Sequence, residues 1–320
     1  MIESATLRQA IPNALTLLTL SWPHAHESGK VRESFSLPPD RRLLVTTDRL
    51  SAFDRILAAI PFKGQVLNQL SAFWFRETAG LVANHLLEVP DPNVSLVREC
   101  TPLPVEVIVR GYITGVTKTS LWTLYAAGER HIYGYDFPAG LHKNDPLPEP
   151  LITPTTKAGP GGHDERLTCA EVVERGFVEA AIWDQVTTAA LAIFRRGQAM
   201  ARQAGFLLVD TKYEFGRALD GTLMLIDELH TPDSSRFWSV EGQGLAQGGE
   251  VEPWDKEYVR LWYAAQGFRG DGPPPPLPEN QVMELARRYI VLYEGLTGQP
   301  FEPAPLPASP RIAQVLQEYL

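Results

Sequence analysis

The sequence predicts an α+β protein built from antiparallel strands and C-terminal helices. Strand and turn patterns fill the first third of the chain, and amphipathic helix patterns end it. With 320 residues, of which 44% are hydrophobic, the chain can bury a sizeable core. This length indicates two domains or one large two-lobed unit.

The charge and cysteine content argue against several classes of protein. Asp and Glu number 38 against 29 Lys and Arg, whereas nucleic-acid and membrane-surface binders depend on clustered cations. We therefore expect no nucleic-acid and no membrane partner, and a local basic site wherever an anion binds. Cys100 and Cys169 are too few for a disulfide framework or a zinc site, which favours a reducing cytoplasm. We expect neither a signal peptide nor a membrane span, because no apolar run has the required pattern or length.

The first elements are a hairpin, a helix and a buried strand. Residues 29–48 predict a β-hairpin, because "GKVRESFSL" and "RLLVTTD" flank the turn "PPDR". A helical pattern follows in "VLNQLSAFWFRETAGLV", and "LPVEVIVRGYITG" predicts a buried strand. With a junction near Leu103, we divide the chain into an N-terminal lobe over 1–103, a central lobe over 104–268, and a Pro-rich linker with C-terminal helices over 269–320.

The second half contains a long loop between regular elements. Residues 141–166 are rich in Pro, Gly and charge, and are too long for a passive connection, so we expect a binding loop. Thr168 and Glu171 predict a capping box, and a long helical pattern follows over 178–204. Two amphipathic helices end the chain, the last with Ser309 as its predicted N-cap.

One strand carries three charges at alternate positions. The segment "LLVDTKYEFG" starts as a buried strand, and Asp210, Lys212 and Glu214 follow at every second residue. Because side chains alternate along a strand, we expect these three to project from one face. Neighbouring carboxylates on one face repel by about 2 kcal/mol per pair at an effective dielectric of about 20. A single lysine cannot neutralise several carboxylates.

The returning strand "TLMLIDEL" predicts a magnesium site. If residue 215 pairs with residue 222, Asp210 faces Asp227, and Glu214 lies on the same surface. A divalent cation would relieve their repulsion, and all-oxygen ligands suit magnesium, particularly where substrate phosphates complete its shell. The alternative is a solvated hairpin face with one internal ion pair.

Basic and hydroxyl side chains recur near this hairpin. Lys30 and Arg32 alternate in "GKVRESF" and could hold the phosphates of ATP, or could protect an exposed edge strand from aggregation. The segment "TPDSSRFW" combines hydroxyls, backbone donors and a guanidinium, which suits an anion cradle, although a surface turn is the alternative. Each of the remaining candidates is an ordinary surface charge when taken singly. The candidates from these and later segments are Arg110, Lys157, His163, Asp164, Ser234, Ser235, Arg236, Lys256 and Arg260.

Taken together, the motifs resemble the SAICAR synthetase family (phosphoribosylaminoimidazole-succinocarboxamide synthases). The resemblance runs from about residue 29 to residue 300 and follows the family order. Its segments are "GKVRESF", "TTDRLSAFD", "KGQVLNQLSAFWF", "LPVEVIVRGYITG", "LPEPLITPTTKA", "GHDE", "VDTKYEFG", "DELHTPDSSRFW" and "DKEYVR".

The resemblance implies a kinase-like, ATP-grasp-like two-lobed α+β fold and an ATP-dependent ligase of purine synthesis. Such an enzyme joins L-aspartate to the carboxylate of carboxyaminoimidazole ribonucleotide (CAIR), using ATP and Mg²⁺. An acyl phosphate is the simplest intermediate, and no enzyme nucleophile is needed. We expect a monomer or a homodimer. The alternatives are a small-molecule kinase of the inositol polyphosphate type and a metal-binding interaction domain without turnover.

The resemblance also implies roles for individual residues. Asp210 and Lys212 would orient the reacting carboxylate and the γ-phosphate. Glu214 and Asp227 would bind magnesium and, with Lys30, Arg32 and Glu106, would form the ATP site, with Glu106 next to adenine. The ribonucleotide would be held by Arg110, Ser234, Ser235, Arg236, Lys256 and Arg260, and the loop near the amino acid would contribute Lys157, His163 and Asp164.

One turn departs from the family pattern. Many members follow "RGYITG" with Ser-Gly-Trp, whereas this chain has Val116 where a phosphate-binding serine is expected. Thr117 or Thr119 could supply the missing hydroxyl.

Overall fold

The computed structural model describes residues 2–157, 164–240 and 251–320. These residues form the helices α1 (Ser4–Ala10), α2 (Lys63–Glu77), α3 (Leu121–Ala126), α4 (Cys169–Glu174), α5 (Ala180–Gln203), α6 (Glu257–Ala265), α7 (Glu279–Thr297) and α8 (Ala308–Gln317), and a 3-10 helix (Ile11–Asn13). They also form the strands β1 (His26–Ser28), β2 (Arg32–Leu37), β3 (Arg41–Thr46), β4 (Arg49–Ala52), β5 (Arg55–Ala59), β6 (Leu86–Asp91), β7 (Val94–Arg98), β8 (Cys100–Pro102), β9 (Val105–Tyr112), β10 (His131–Ile132), β11 (Tyr135–Asp136), β12 (Pro146–Ile152), β13 (Thr155–Thr156), β14 (Phe206–Ala218), β15 (Leu223–Ile226) and β16 (Ser235–Ser239).

The first sheet is antiparallel and has the strand order β1-β2-β3-β7-β6. The predicted hairpin is confirmed as β2 and β3, in which Phe35 pairs with Leu43. Every second side chain of β2 is buried, as expected for a strand with one face on a core. Phe35 and Leu43 pack in that core with Ile312 of α8, so the last helix covers this sheet.

The second sheet carries the candidate site on one face and the main core on the other. Its strand order is β12-β9-β14-β15, with β13 paired to β9, and β8 and β16 paired to β14. Helix α5 contacts β9, β12 and β14. Tyr213 and Phe215 are fully buried in a core with Ile193 and Phe194 of α5. Their neighbours Lys212 and Glu214 are only half-buried, which confirms the predicted alternation along β14.

Helix α2 contacts β3 and β6 of the first sheet and also α7. The main core draws buried residues from α2, α7, β9 and β14 together. The division of the chain at residue 103 stays a prediction. Among the described residues, no helix has both the length and the apolar character needed to cross a membrane.

One predicted helix start, that of α4, is confirmed, and another, that of α8, is wrong. The capping box of Thr168 and Glu171 is present at the start of α4. The predicted N-cap of α8 is wrong, because the helix begins at Ala308 after Pro307, and Ser309 lies inside its first turn. Proline is tolerated in a first turn, where its missing N–H has no helical partner, so Pro310 does not mark the first helical residue.

Gly64 allows α2 to lie against the first sheet. A Cβ at this position would clash with the carbonyl oxygen of Thr46 and lie 2.7 Å from Asn93 Nδ2. Because backbone atoms cannot move aside cheaply, we expect Gly64→Ala to lower the free energy of unfolding by about 1 to 3 kcal/mol, measured by urea denaturation. Gly80→Ala is the matched control, because nothing lies within 4 Å of its added Cβ. Equal stability of the two variants would contradict the tight fit at Gly64.

Candidate functional site

Three neighbouring strands bring opposite charges together at the centre of the site. Asp210 on β14 pairs with Arg110 on β9 and with Arg236 on β16. Its buried carboxylate forms ion pairs with Arg236 and, at 3.7 Å, with Arg110. Burial lowers the pKa of Arg236, but Asp210 and Glu257 outweigh burial, so this pKa lies above its ordinary value. Glu257 also pairs with Arg260, so three arginines face two carboxylates, and the excess cation can receive an anion.

The predicted register of the hairpin is wrong. Glu214 pairs with Ile226, so Asp227 follows the end of β15 and does not face Asp210. The strand β14 extends to Ala218, further than predicted, because β8 pairs with its last residues from the other side. The turn therefore lies later in the chain. Asp227 has a left-handed backbone conformation with a φ of 69°, which ends the strand.

Lys212 stands between two carboxylates. Its Nζ lies 2.9 Å from Glu106 Oε1 and 2.6 Å from Glu214 Oε1. Burial lowers the pKa of Lys212, but Glu214, Asp227 and Glu106 outweigh burial and hold this pKa above its ordinary value. Lys212 therefore stays charged and connects Glu106 with Glu214.

Most of the predicted site residues border one polar cavity of about 290 Å³. The cavity lies over β9, β14 and the start of β16, and its polar lining consists of Glu106, Arg110, Thr117, Thr119, Thr155, Asp164, Asp210, Thr211, Lys212, Asp233, Ser234, Ser235, Arg236, Asp255, Lys256 and Arg260. This lining places five Lys and Arg side chains and several hydroxyls beside five Asp and Glu side chains. The cavity is therefore suited to an anionic ligand with several hydroxyl or phosphate oxygens.

Glu214 and Asp227 border a second cavity of about 210 Å³, between β3 and β7 of the first sheet and β8. Asp227 forms an ion pair with Arg32, and Glu214 forms one with Lys157. Burial raises the pKa of Asp227, but Arg32, Lys212 and Lys157 outweigh burial, so this pKa lies below its ordinary value. The two predicted metal ligands therefore meet at one cavity despite the wrong register.

The donor set of this second cavity fits magnesium only with help from a ligand. Two carboxylates on separate strand ends can each give one oxygen, and magnesium takes its remaining oxygens readily from water and phosphate. Among the described residues, no group of three or more His, Cys, Asp or Glu side chains is arranged to hold a metal ion. Glu214 and Asp227 would thus hold the ion together with phosphate oxygens. Lys157 pairs with Glu214 and Arg32 pairs with Asp227, so each carboxylate also has a cation of the protein beside it.

One predicted position for the nucleotide site is wrong. Lys30 does not share a strand face with Arg32, because β2 begins only at Arg32 and Lys30 lies in the preceding turn, where it pairs with the exposed Asp54. Glu106 borders the polar cavity beside Lys212, and its place next to adenine stays a prediction. The segment between the sheets that borders the second cavity is Cys100–Pro102 of β8, where the chain passes from one sheet to the other.

The long loop over residues 141–166 places two of its predicted residues beside the two cavities. Lys157 forms an ion pair with Glu214, and Asp164 borders the polar cavity. His163 lies outside the described residues.

The turn after β9 offers threonines where a serine is expected. Val116 is 54% exposed and does not border the polar cavity, whereas Thr117 and Thr119 do. Gly115 brings the turn close to Arg236, since a Cβ at Gly115 would lie 3.5 Å from Arg236 Nη2. Threonine hydroxyls therefore stand near the central arginine.

The segment after β15 is a threonine-closed turn that presents its hydroxyls to the cavity. The N–H groups of Asp233 and Ser234 each donate to Thr231 Oγ1 at 3.2 Å. Ser235 Oγ lies 2.7 Å from Thr211 Oγ1 on β14. The turn is thus present, its serines border the polar cavity, and the anion cradle stays a prediction.

Three charged residues in or beside the site were missed in the sequence, and two of them, Lys63 and Asp255, are buried. Glu228 pairs with Arg32 at 2.9 Å, Asp255 accepts from the N–H of Phe237 at 2.8 Å, and Lys63 lies 2.8 Å from Asp233. The adjacency of Glu228 to Asp227 was an available signal. Lys63 gave none, because a lysine at the start of an apolar helix is usually exposed.

Comparison with known proteins gives a consistent result. The sequence profile described as SAICAR synthetase matches residues 25–273. A putative phosphoribosylaminoimidazole-succinocarboxamide synthase 2 from Mesorhizobium japonicum is 49% identical over 277 residues, which are 86% of this chain and 88% of that protein. A phosphoribosylaminoimidazole-succinocarboxamide synthase from Legionella pneumophila is 46% identical over 316 residues, covering 97% of this chain and 100% of that protein. The solved SAICAR synthase from Saccharomyces cerevisiae, complexed with SAICAR, has a TM-score of 0.79 at 31% identity, over 90% of this chain and 100% of that chain.

Lys256 should make anion binding in the polar cavity dependent on pH. Burial lowers the pKa of Lys256 to about 8, although Asp233 opposes this effect. Because the lysine loses its charge as pH rises, we expect the affinity for sulfate, measured calorimetrically, to fall by about tenfold from about pH 7.5 to about pH 9.5. Asp255, whose pKa burial raises to about 7, is mostly ionised throughout this range. Lys256→Met should bind sulfate weakly and with no such fall, and a parent protein with constant affinity would contradict the assignment.

Proposed function

The chain belongs to the SAICAR synthetase family, and from that premise we propose how its two cavities divide the reaction. The protein is an ATP-dependent ligase of purine biosynthesis that joins L-aspartate to CAIR, giving SAICAR, ADP and phosphate. ATP would bind in the cavity between the sheets, and the two other substrates would bind in the polar cavity. The single observation that carries this division is Lys212, which contacts Glu214 of one cavity and Glu106 of the other.

The chemistry requires the two cavities to adjoin. A carboxylate is a poor electrophile, so a CAIR carboxylate oxygen attacks the γ-phosphorus, the bond to ADP breaks, and an acyl phosphate forms. The aspartate amine then attacks the acyl carbon, loses a proton, and releases phosphate. Both steps need positioning and charge neutralisation, and no enzyme nucleophile. Asp210 and Lys212 lie where the γ-phosphate and the acceptor carboxylate would meet, and would orient them.

The ATP side would use the charged groups of the cavity between the sheets. Arg32 and the more exposed Lys30 would contact phosphate oxygens. Magnesium, when held by Glu214 and Asp227 with those oxygens, would supply further neutralisation of the triphosphate charge. Arg32 already lies against the carboxylate of Asp227, so it is placed to move onto phosphate.

The substrate side would use the cations and hydroxyls of the polar cavity. We propose that the ribonucleotide phosphate and carboxylate are held by Arg110, Ser234, Ser235, Arg236, Lys256 and Arg260. The loop residues Lys157, His163 and Asp164 would contact aspartate. Thr117 and Thr119 would replace the serine expected at Val116.

The small-molecule kinase alternative is not favoured, because the family match covers most of the chain. We further propose a cytoplasmic location, which the free Cys100 and Cys169 support. The assembly is proposed as a monomer or a homodimer, without nucleic-acid or membrane partners.

The direct test is product formation. With CAIR and ATP present, ADP release should require aspartate, and mass spectrometry should detect SAICAR. ADP release with CAIR or a polyol in the absence of aspartate would instead support a kinase.

Arg236→Ala should mainly weaken ribonucleotide binding. The change removes a charged donor from the polar cavity and leaves Asp210 with Arg110 alone, so we expect the KM for CAIR to rise by about tenfold or more. Steady-state kinetics should show little change in the KM for ATP. Arg217→Ala is the matched control, because Arg217 lies on the adjacent strand β14 but pairs with the exposed Glu179. A rise in the KM for ATP without a rise in the KM for CAIR would contradict the assignment of Arg236 to the ribonucleotide.

Asp227→Asn should impair magnesium-dependent turnover while the protein stays folded. The amide keeps the size of the side chain but removes the negative charge, so turnover at limiting magnesium should fall by about tenfold or more and recover partly at high magnesium. Asp220→Asn, in the exposed turn of the same hairpin, is the control and should have no effect. If turnover of Asp227→Asn and of the parent protein depended identically on magnesium, Asp227 would not be a magnesium ligand.

A further inference from the structure

The turn that carries the anion-binding hydroxyls is fixed by a buried carboxylate. The side chain of Asp233 is only 3% exposed and precedes residues 234–236 of the polar cavity. One oxygen, Oδ2, lies 2.8 Å from Lys63 Nζ, and the other, Oδ1, accepts a hydrogen bond from Tyr289 at 2.8 Å. Neither Lys63 Nζ nor Asp233 Oδ2 has a well-directed hydrogen bond among the described residues, so their attraction is one of charge.

The three partners come from distant parts of the chain. Lys63 is the first residue of α2, which packs on the first sheet, and Tyr289 lies in α7. Asp233 belongs to the turn between β15 and β16. Lys63 is completely buried, so loss of either charge would remove the nearest opposite charge of the other in the interior. The contact therefore fixes the turn relative to both helices.

Lys63 borders neither of the two cavities. Lys63 can therefore affect the substrate only through its contact with Asp233. Burial raises the pKa of Asp233, but Lys63 and Lys256 outweigh burial and lower this pKa to about 2. Asp233 also borders the polar cavity directly. A shift of Lys63 would move the backbone that positions Ser234 and Ser235.

We propose that Lys63 is a positioning residue for the ligase reaction: from the first residue of α2 it holds Asp233, with Tyr289, so that the turn and Arg236 keep the geometry that binds the ribonucleotide. The identity of the substrate in this inference rests on the proposed function. The charge on Lys63 thus couples the helix beside the first sheet to substrate binding on the second sheet.

The decisive variant is Lys63→Met, which keeps the length of the side chain and removes its charge. We expect the KM for CAIR to rise by about tenfold or more, since small displacements of binding groups have large kinetic effects, while the KM for ATP changes by less than about twofold. Arg311→Met is the matched control, because Arg311 of α8 also pairs with a buried carboxylate, Asp91, but borders neither cavity. The control should lose stability without a change in the KM for CAIR, and the same result for Lys63→Met would overturn the inference.

A double variant separates positioning from general damage. If Lys63 acts through Asp233, Lys63→Met combined with Asp233→Asn should raise the KM for CAIR no further than Asp233→Asn alone. Additive increases in the KM for CAIR would contradict the inference that Lys63 acts through Asp233. Should Lys63→Met fail to fold, Tyr289→Phe takes its place, with a smaller rise in the same KM expected and an unchanged KM contradicting the inference.

Sulfate binding keeps this test independent of turnover. A parent protein without aspartate-dependent turnover would contradict the proposed function, whereas the sulfate affinity of the same variants would still report on the geometry of the turn. Weaker sulfate binding in Lys63→Met than in Arg311→Met supports the inference, and equal binding overturns it.

Discussion

The site depends on one buried carboxylate placed between two guanidinium groups. Asp210 is buried, and Arg110 and Arg236 lie on the strands to either side of its carboxylate. An unpaired charge at this depth would cost several kcal/mol, so the pairing fixes the directions of both arginines. Arg236 also faces Glu257, which pairs with Arg260 as well, so three arginines meet two carboxylates and one cation is left in excess. A protein with 38 acidic and 29 basic residues thereby keeps a local cationic site of the kind that an anionic substrate needs.

A similar principle governs the cavity between the sheets. Asp227 and Glu214 would repel each other in this setting, but Arg32 and Lys157 lie against them and act as internal counter-ions. The fold therefore holds these acidic groups together with its own cations. If the triphosphate binds here as proposed, charges that are already oriented would cost little reorganisation, which is how electrostatic preorganisation contributes to phosphoryl transfer.

Local periodicity predicted much of the fold. The hairpin of β2 and β3, the helix α5 and the two-faced strand β14 each follow from patterns within about twenty residues. The register of β14 with β15 could not be predicted, because it depends on β8, which pairs with β14 from a distant part of the sequence. Motif resemblance identified most residues of the polar cavity. Lys63 escaped notice, since its burial arises only when α2, α7 and the turn at Asp233 come together.

The left-handed backbone at Asp227 has an evolutionary consequence. A residue with a side chain is strained by about 1 kcal/mol in this conformation, and glycine would relieve the strain. Glycine would also remove the carboxylate that pairs with Arg32, and the loss of this part-buried ion pair opposes the gain from relieved strain. The strain at Asp227 is thus offset within the fold by the partner of its side chain, and a more heat-resistant descendant would gain little from glycine at this position.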